Sequence, residues 1–215
     1  EGVDRPLSFV VDTAAGATVI DATLADATGM FDAPAGNVQF EVQGAGGSAG
    51  TVARTGLRDL SAGNFRWKAQ MLAMDLSRIA RPGITPVDGI LGNDLMSRFD
   101  LRFDLAAGEL LLAPPGSLPR SGCLDNALPE RAAGLQRFAF VDAQMQDGVH
   151  RSPATVVVDT GAAQTVLNVA AARALGVDDG DPRLRRRDAG TGGISEHVVE
   201  DRKSTRLNSS HVRIS

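Results

Sequence analysis

The sequence predicts an all-β protein built as two tandem copies of one unit, the second copy incomplete, and three observations carry that prediction. Sliding the 215-residue chain by 147 positions lays residues 6–30 (PLSFVVDTAAGATVIDATLADATGM) on residues 153–177 (PATVVVDTGAAQTVLNVAAARALGV), with 11 of 25 positions identical. Chance likeness between two Ala- and Val-rich segments would not also give the later match of Gly44-Ala45-Gly46-Gly47 with Gly190-Thr191-Gly192-Gly193 at an offset of 146. Short β-branched stretches between Gly, Pro and Asp punctuation are the second observation. The third is that helical stretches are brief, each stopping at a glycine, Gly29 or Gly176.

Each unit opens with an apolar strand, residues 7–11 and 155–158, that halts at an Asp-Thr pair inside a run of small residues suited to a tight turn. A second short apolar stretch follows at 18–20 and 165–167, then the helical stretch. In the first unit residues 38–42 and 51–55 alternate, and the glycine-rich 44–50 joins them as a hairpin tip. Residues 65–72 read as a further strand, 87–92 (VDGILG) as an apolar turn and strand, 93–97 as a short helix, and 101–105 with 109–112 as a hairpin. The first unit spans 1–113 and the Pro-rich 114–133 reads as a linker. Residues 134–200 form the second unit, whose counterpart of Gly89 to Gly92 would fall near 236–239, beyond the given residues.

Composition narrows the function. Hydrophobic residues at 43% and charged residues at 22% describe a folded globular chain, not a disordered or collagen-like one. With 22 basic against 26 acidic residues and a net charge of −4, the basic footprint of a nucleic-acid binder is missing. Cys123 stands alone, which excludes an internal disulfide and a multi-cysteine zinc site, and no apolar run approaches the ~18 residues of a membrane span. His150, His197 and His211 lack metal-ligand spacing, and the arginines of 183–187 follow Asp178, Asp179 and Asp181 as a solvated loop would. The chain begins at Glu1, so an upstream signal or anchor would lie outside it and compartment is not readable from these residues. Residues 201–211 (DRKSTRLNSSH) resemble an in-frame translation of a common sequencing adapter, so 201–215 is expected to be an artefactual tail; its four basic residues against Asp201 make the rest more acidic than the whole.

Asp12 and Asp159 carry the chemistry. One Asp at a strand end usually caps its own turn. Two such loops on duplicated units can face each other, and two carboxyls about 3 Å apart cannot both ionise, so they share a proton and can activate water while protonating a carbonyl oxygen. Asp159-Thr160-Gly161-Ala162, its hydrophobic lead-in, the glycine-rich hairpin tip and Gly89-Ile90-Leu91-Gly92 together resemble the retropepsin-like and pepsin-like aspartic proteases, in the bacterial form with two repeats. The resemblance implies a retropepsin-like acid protease barrel, with Asp12 and Asp159 as the catalytic dyad of an aspartic endopeptidase. It implies that Thr13 and Thr160 brace the two loops, with Ala14, Ala15, Gly161 and Ala162 completing them. It further implies that Gly44, Ala45, Gly46, Gly47 and Gly190, Thr191, Gly192, Gly193 form flap tips, and that Gly89, Ile90, Leu91 and Gly92 support the Asp loop.

Neither metal nor organic cofactor is implied, and the partner is a peptide or protein substrate. The two units pair within one chain; a homodimer through two first units is the alternative pairing. Export or a periplasmic setting is the location the resemblance suggests. The competing function is a non-catalytic peptide-binding module of the same fold, for which Ala14 in place of glycine is the argument. Gly46-Gly47-Ser48-Ala49-Gly50 also fits a serine-hydrolase elbow, which requires a helix where 51–55 alternates as a strand.

Overall fold

The computed structural model describes residues 3, 5–32, 40–44, 47–63, 65–79, 86–119, 131–133, 136–146, 149–162, 165–178, 181, 184–188, 194–199 and 213–214. They are mostly strand, with three helices of four to six residues, in keeping with an all-β fold. In chain order the elements are β1 (Phe9–Val11), β2 (Val19–Asp21), α1 (Ala22–Ala27), β3 (Phe40–Gly44), β4 (Gly47–Arg54), β5 (Arg58–Ala62), β6 (Phe65–Ala69) and β7 (Leu72–Met74). They continue with β8 (Gly89–Leu91), α2 (Asn93–Met96), β9 (Asp100–Asp104) and β10 (Glu109–Ala113). Six strands make one sheet in the order β1-β8-β2-β7-β4-β3, mixing parallel and antiparallel neighbours.

That sheet is buried on both faces, and β2 shows why. Successive strand side chains point to opposite sides. Val19 joins Val52, Met74, Leu76 and Ile90 in one cluster, while Ile20 joins Ala25, Met71 and Ala73 in another. Ile20 is wholly buried. Replacing it by Ala should cost about 2–5 kcal/mol through lost burial and the cavity left behind, read from urea unfolding monitored by circular dichroism.

Helix α1 starts where the Asp21 carboxylate accepts the Thr23 and Leu24 amides at 3.0 and 3.1 Å, and the chain turns away at Gly29 with φ 63°. The same local logic recurs later in the chain. Asn168 accepts the Ala171 amide at 2.8 Å to start α3 (Val169–Ala174), and Gly176 follows with φ 68°.

Where β1 and β8 enter the sheet, Arg5 grips Asp88 with both guanidinium nitrogens, at 2.7 and 2.6 Å, and the Ser8 amide adds a third bond at 2.8 Å. The Arg5 hydrogen bonds lead in holding the Asp88 carboxyl below the ordinary carboxylate range, against the opposing effect of burial. A carboxyl depressed by folding stabilises the fold above its unfolded pKa, and that contribution fades as pH falls through the folded value. Arg5→Ala should therefore lower stability at neutral pH and move the midpoint of acid unfolding to higher pH, both measured by circular dichroism.

The structure departs from the sequence reading at five places. The stretch 65–72 is two strands, because the chain bends at Gln70 and Met71: the Met71 amide donates to the Thr55 hydroxyl at 2.9 Å and its side chain is wholly buried, which carries β7 into the main sheet while β6 pairs β5. β5, with the polar sequence RDLSA, had no apolar signal to announce it. Residues 165–167 form no strand, and Val166 is 52% exposed. Arg131–Ala133 (β11), expected in the linker, pairs with Gln136–Phe138 (β12). Leu184–Asp188 (β15), expected as a solvated loop, pairs antiparallel with Ile194–Val199 (β16), because the ladder joins backbone groups that the Arg-rich sequence does not reveal.

Among the described residues, β13 (Phe140–Gln146) and β14 (Arg151–Val157) form a hairpin, and Ala172, Leu175 and Val177 make a small cluster with Met145 and Leu167 against it. In the expected tail, Arg213–Ile214 (β17) adds a third strand beside β9. The remaining residues of 201–215, and 120–130 of the linker, lie outside the described residues.

Candidate active site

Asp12 follows β1 directly, and its amide donates to the Leu91 carbonyl of β8 at 3.1 Å. The chain then turns, and Asp12 Oδ1 accepts the amides of Ala14 and Ala15 at 2.8 and 3.0 Å. The second loop repeats the arrangement: Asp159 Oδ1 accepts the amides of Gly161 and Ala162 at 2.8 and 2.9 Å. Each carboxylate thus does cap its own turn, the ordinary role of an Asp at a strand end. The cap engages one oxygen of each group and fixes the direction of the other.

The two loops are bolted together by their threonines. The Thr13 amide donates to Thr160 Oγ1 at 3.2 Å, and the Thr160 amide donates to Thr13 Oγ1 at 3.1 Å. Each hydroxyl then donates across the junction to the carbonyl that precedes the opposite Asp, Thr13 to Val158 at 2.5 Å and Thr160 to Val11 at 2.6 Å. Every donor in this set has an acceptor on the other loop, 145 to 149 residues away in sequence. Only a hydroxyl that donates and accepts at once can fill both roles, which limits the position to Thr or Ser. Thr13 is wholly buried, whereas its partner Thr160 is exposed.

β8 runs parallel to β1, placing Phe9 beside Gly89, Val10 beside Ile90 and Val11 beside Leu91. Its glycines are explained by crowding. A Cβ on Gly89 would lie 2.5 Å from the Val19 carbonyl oxygen and closer still to the Phe9 ring. A Cβ on Gly92 would meet the Ala17 carbonyl carbon and oxygen, each at 2.4 Å. Sequence reasoning stopped at Gly92 and missed Asn93, whose Nδ2 donates to the Thr13 carbonyl at 2.6 Å and whose amide donates to the Ala15 carbonyl at 2.8 Å. The sequence signal was only an Asn directly after the Gly-Ile-Leu-Gly strand; its burial is seen in the structure alone. The next residue, Asp94, accepts the Thr18 hydroxyl at 2.7 Å, and that hydroxyl accepts the Gly92 amide at 3.2 Å.

Burial pushes the Asp12 carboxyl above its ordinary value, and the Asp159 charge and a hydrogen bond between the two carboxyls push the same way. The Ala14 and Ala15 amides oppose the rise. A carboxyl raised in this manner keeps its proton further toward neutral pH, which suits general acid work. Ala14 does not strain its loop, because no non-glycine among the described residues has positive φ.

The glycine-rich hairpin is narrower than the sequence suggested: Gly44 pairs with Gly47, and β4 runs from Gly47 onward. Ser48 therefore sits within a strand, and the helix that a serine elbow needs is replaced by β4. In the sheet order β3 and β4 stand at the end opposite β1, and they close on each other at Gly44 and Gly47. Ala45 and Gly46, and Gly190, Thr191, Gly192 and Gly193, lie outside the described residues, although β15 and β16 flank the latter as a hairpin. Among the described residues no three His, Cys, Asp or Glu side chains are grouped to hold a metal ion, and no helix is long and apolar enough to cross a membrane.

Residues 2–95, which carry the first Asp-Thr loop, the β3–β4 hairpin and the Gly-Ile-Leu-Gly strand, match the family model described as aspartyl protease. No curated protein and no solved structure matches the chain.

Proposed function

From the likeness of residues 2–95 to an aspartyl protease, we propose that the chain is an aspartic endopeptidase in which Asp12 and Asp159 act as one dyad. The observation that carries this reading is the reciprocal bonding of Thr13 and Thr160, which holds the turn of each Asp against the carbonyl preceding the other. With one proton between them, the two carboxyls act as acid and base in the same step. A water bound between them attacks the peptide carbonyl carbon. Its proton goes to the charged carboxylate, and the neutral carboxyl gives its own proton to the carbonyl oxygen, forming a tetrahedral diol. The C–N bond then breaks as the first carboxyl protonates the leaving nitrogen, while a diol hydroxyl returns a proton to the second. The dyad ends as it began.

Gly44 to Gly47 and Gly190 to Gly193 are the flap tips in this reading, closing on an extended peptide. Thr13, Ala14, Ala15, Thr160, Gly161 and Ala162 supply the loop backbone, and Gly89 to Gly92 support it from behind. The second reading, a peptide-binding module without catalysis, is favoured by Ala14, which stands where the other loop has Gly161.

The deciding experiment combines cleavage of an unfolded casein-like substrate with binding of a statine-type peptide, whose hydroxyl mimics the diol. The endopeptidase reading expects cleavage that the statine peptide blocks. Peptide binding without cleavage, and no preference for the statine analogue, would establish the module instead. The rate should follow a bell in pH, its acid limb marking the loss of the charged carboxylate. Its alkaline limb should lie above the ordinary carboxylate range, because burial and Asp159 help Asp12 to hold its proton.

A further inference from the structure

The two Asp loops meet through identical chemistry. Across the junction each Thr amide donates to the opposite Thr hydroxyl, at 3.2 and 3.1 Å, and each hydroxyl donates to the carbonyl preceding the opposite Asp. Val11, Asp12 and Thr13 match Val158, Asp159 and Thr160 residue for residue. These bonds do not distinguish one loop from the other. By them alone, the first loop could close on its own counterpart in a second copy of the chain, as a self-complementary patch does.

The loops differ one residue later, at Ala14 and Gly161. Gly161 has no positive φ, so its backbone is one that any residue adopts. Its lack of a side chain answers instead to the other loop: a Cβ built there would lie 2.5 Å from Asp12 Cγ, 2.6 Å from Oδ2 and 3.0 Å from Cβ. Asp12 does not swing aside freely, because Oδ1 holds the Ala14 and Ala15 amides at 2.8 and 3.0 Å and the Asp12 amide is tied to the Leu91 carbonyl at 3.1 Å. The reciprocal brace relates the loops by a near two-fold, under which Ala14 stands to Asp159 as Gly161 stands to Asp12. One methyl is accommodated when the loops rock about the brace, closing on the glycine flank and opening on the other. Methyls on both flanks leave no direction in which to rock, and close-packed contacts absorb such excess poorly.

We propose that Ala14 and Gly161 form a pairing code: the loops close when at least one of the two positions is glycine, so the first loop takes the Gly161 loop as its partner and is barred from closing on the first loop of a second copy. The code concerns assembly of the site and needs no hydrolysis, so it stands or falls apart from the endopeptidase reading.

Hydrogen exchange at the Thr160 amide reads the brace, since its acceptor, Thr13 Oγ1, lies on the other loop. Gly161→Ala in the full chain reproduces within one molecule the Ala-against-Ala contact that two first loops would make. It should speed Thr160 exchange by about tenfold or more while the amides of the β1–β8 pair stay protected. With no glycine left at either position, this chain should also sediment as a monomer at every concentration. The swapped chain, Ala14→Gly with Gly161→Ala, moves the glycine to the other flank and should return Thr160 exchange to within about threefold of the parent, so the two substitutions are coupled and not additive. Unchanged Thr160 protection in Gly161→Ala overturns the proposal, as does a concentration-dependent dimer of that chain with the Thr13 amide protected. Should Gly161→Ala fail to fold, the swapped chain decides: recovered fold and Thr160 protection support the code, and a swapped chain as impaired as Gly161→Ala overturns it.

Discussion

Asp12→Asn and Asp159→Asn should each reduce hydrolysis of an unfolded protein substrate by roughly two to four orders of magnitude while leaving the fold intact. An amide is nearly the shape of a carboxyl and can still accept the two turn amides through its oxygen, so the loop bonds at Oδ1 survive in either variant. Asparagine does not titrate, so the site can no longer hold one proton and one charge together. The losses should not add: the double variant should be no slower than either single one, because half a dyad already lacks the step that both carboxyls share. Circular dichroism establishes folding, and cleavage is followed from acidic to neutral pH. A single variant with substantial activity would dismiss the dyad.

The second large effect belongs to a glycine with no chemistry of its own. Gly92→Ala drives a methyl into the backbone of Ala17 and Thr18, with contacts of 2.4 to 2.9 Å that no side-chain rotation relieves. Either β8 withdraws from β1 or the segment after the Asp12 loop moves. Both would disturb the Asn93 bonds to the Thr13 and Ala15 carbonyls. Overpacking of this kind costs about 1–3 kcal/mol, occasionally more. The expected result is a lowered urea midpoint together with activity lost beyond the unfolded fraction, measured on the same preparation. A variant of unchanged stability would show that the loop yields more easily than its contacts suggest.

What could be read from the residues and what could not divides along physical lines. The strand ends at Asp12 and Asp159, the crossing at Gly89 to Gly92 and the glycine stops at Gly29 and Gly176 follow from local rules: side-chain alternation, small residues in tight turns, and φ values that only glycine adopts freely. Asn93 was hidden because its role lies in two carbonyls about eighty residues earlier in the chain, and a polar residue at a helix start has an ordinary explanation close at hand. β5 and β15 were hidden for another reason. Their pairing is carried by backbone groups, and RDLSA and LRRRD leave no apolar stripe for a reader to follow.

The cross-brace between Thr13 and Thr160 also sets an order of events in time. Bonds that join positions 147 residues apart form only after a long loop has closed, whereas the β9–β10 hairpin closes around a handful of residues. Secondary structure in the first unit can therefore accumulate while the two loops are still separate. In refolding from urea, far-ultraviolet signal should return ahead of the competence to bind a diol-mimicking peptide. The cross-brace cannot form until the second Asp-Thr loop has been made.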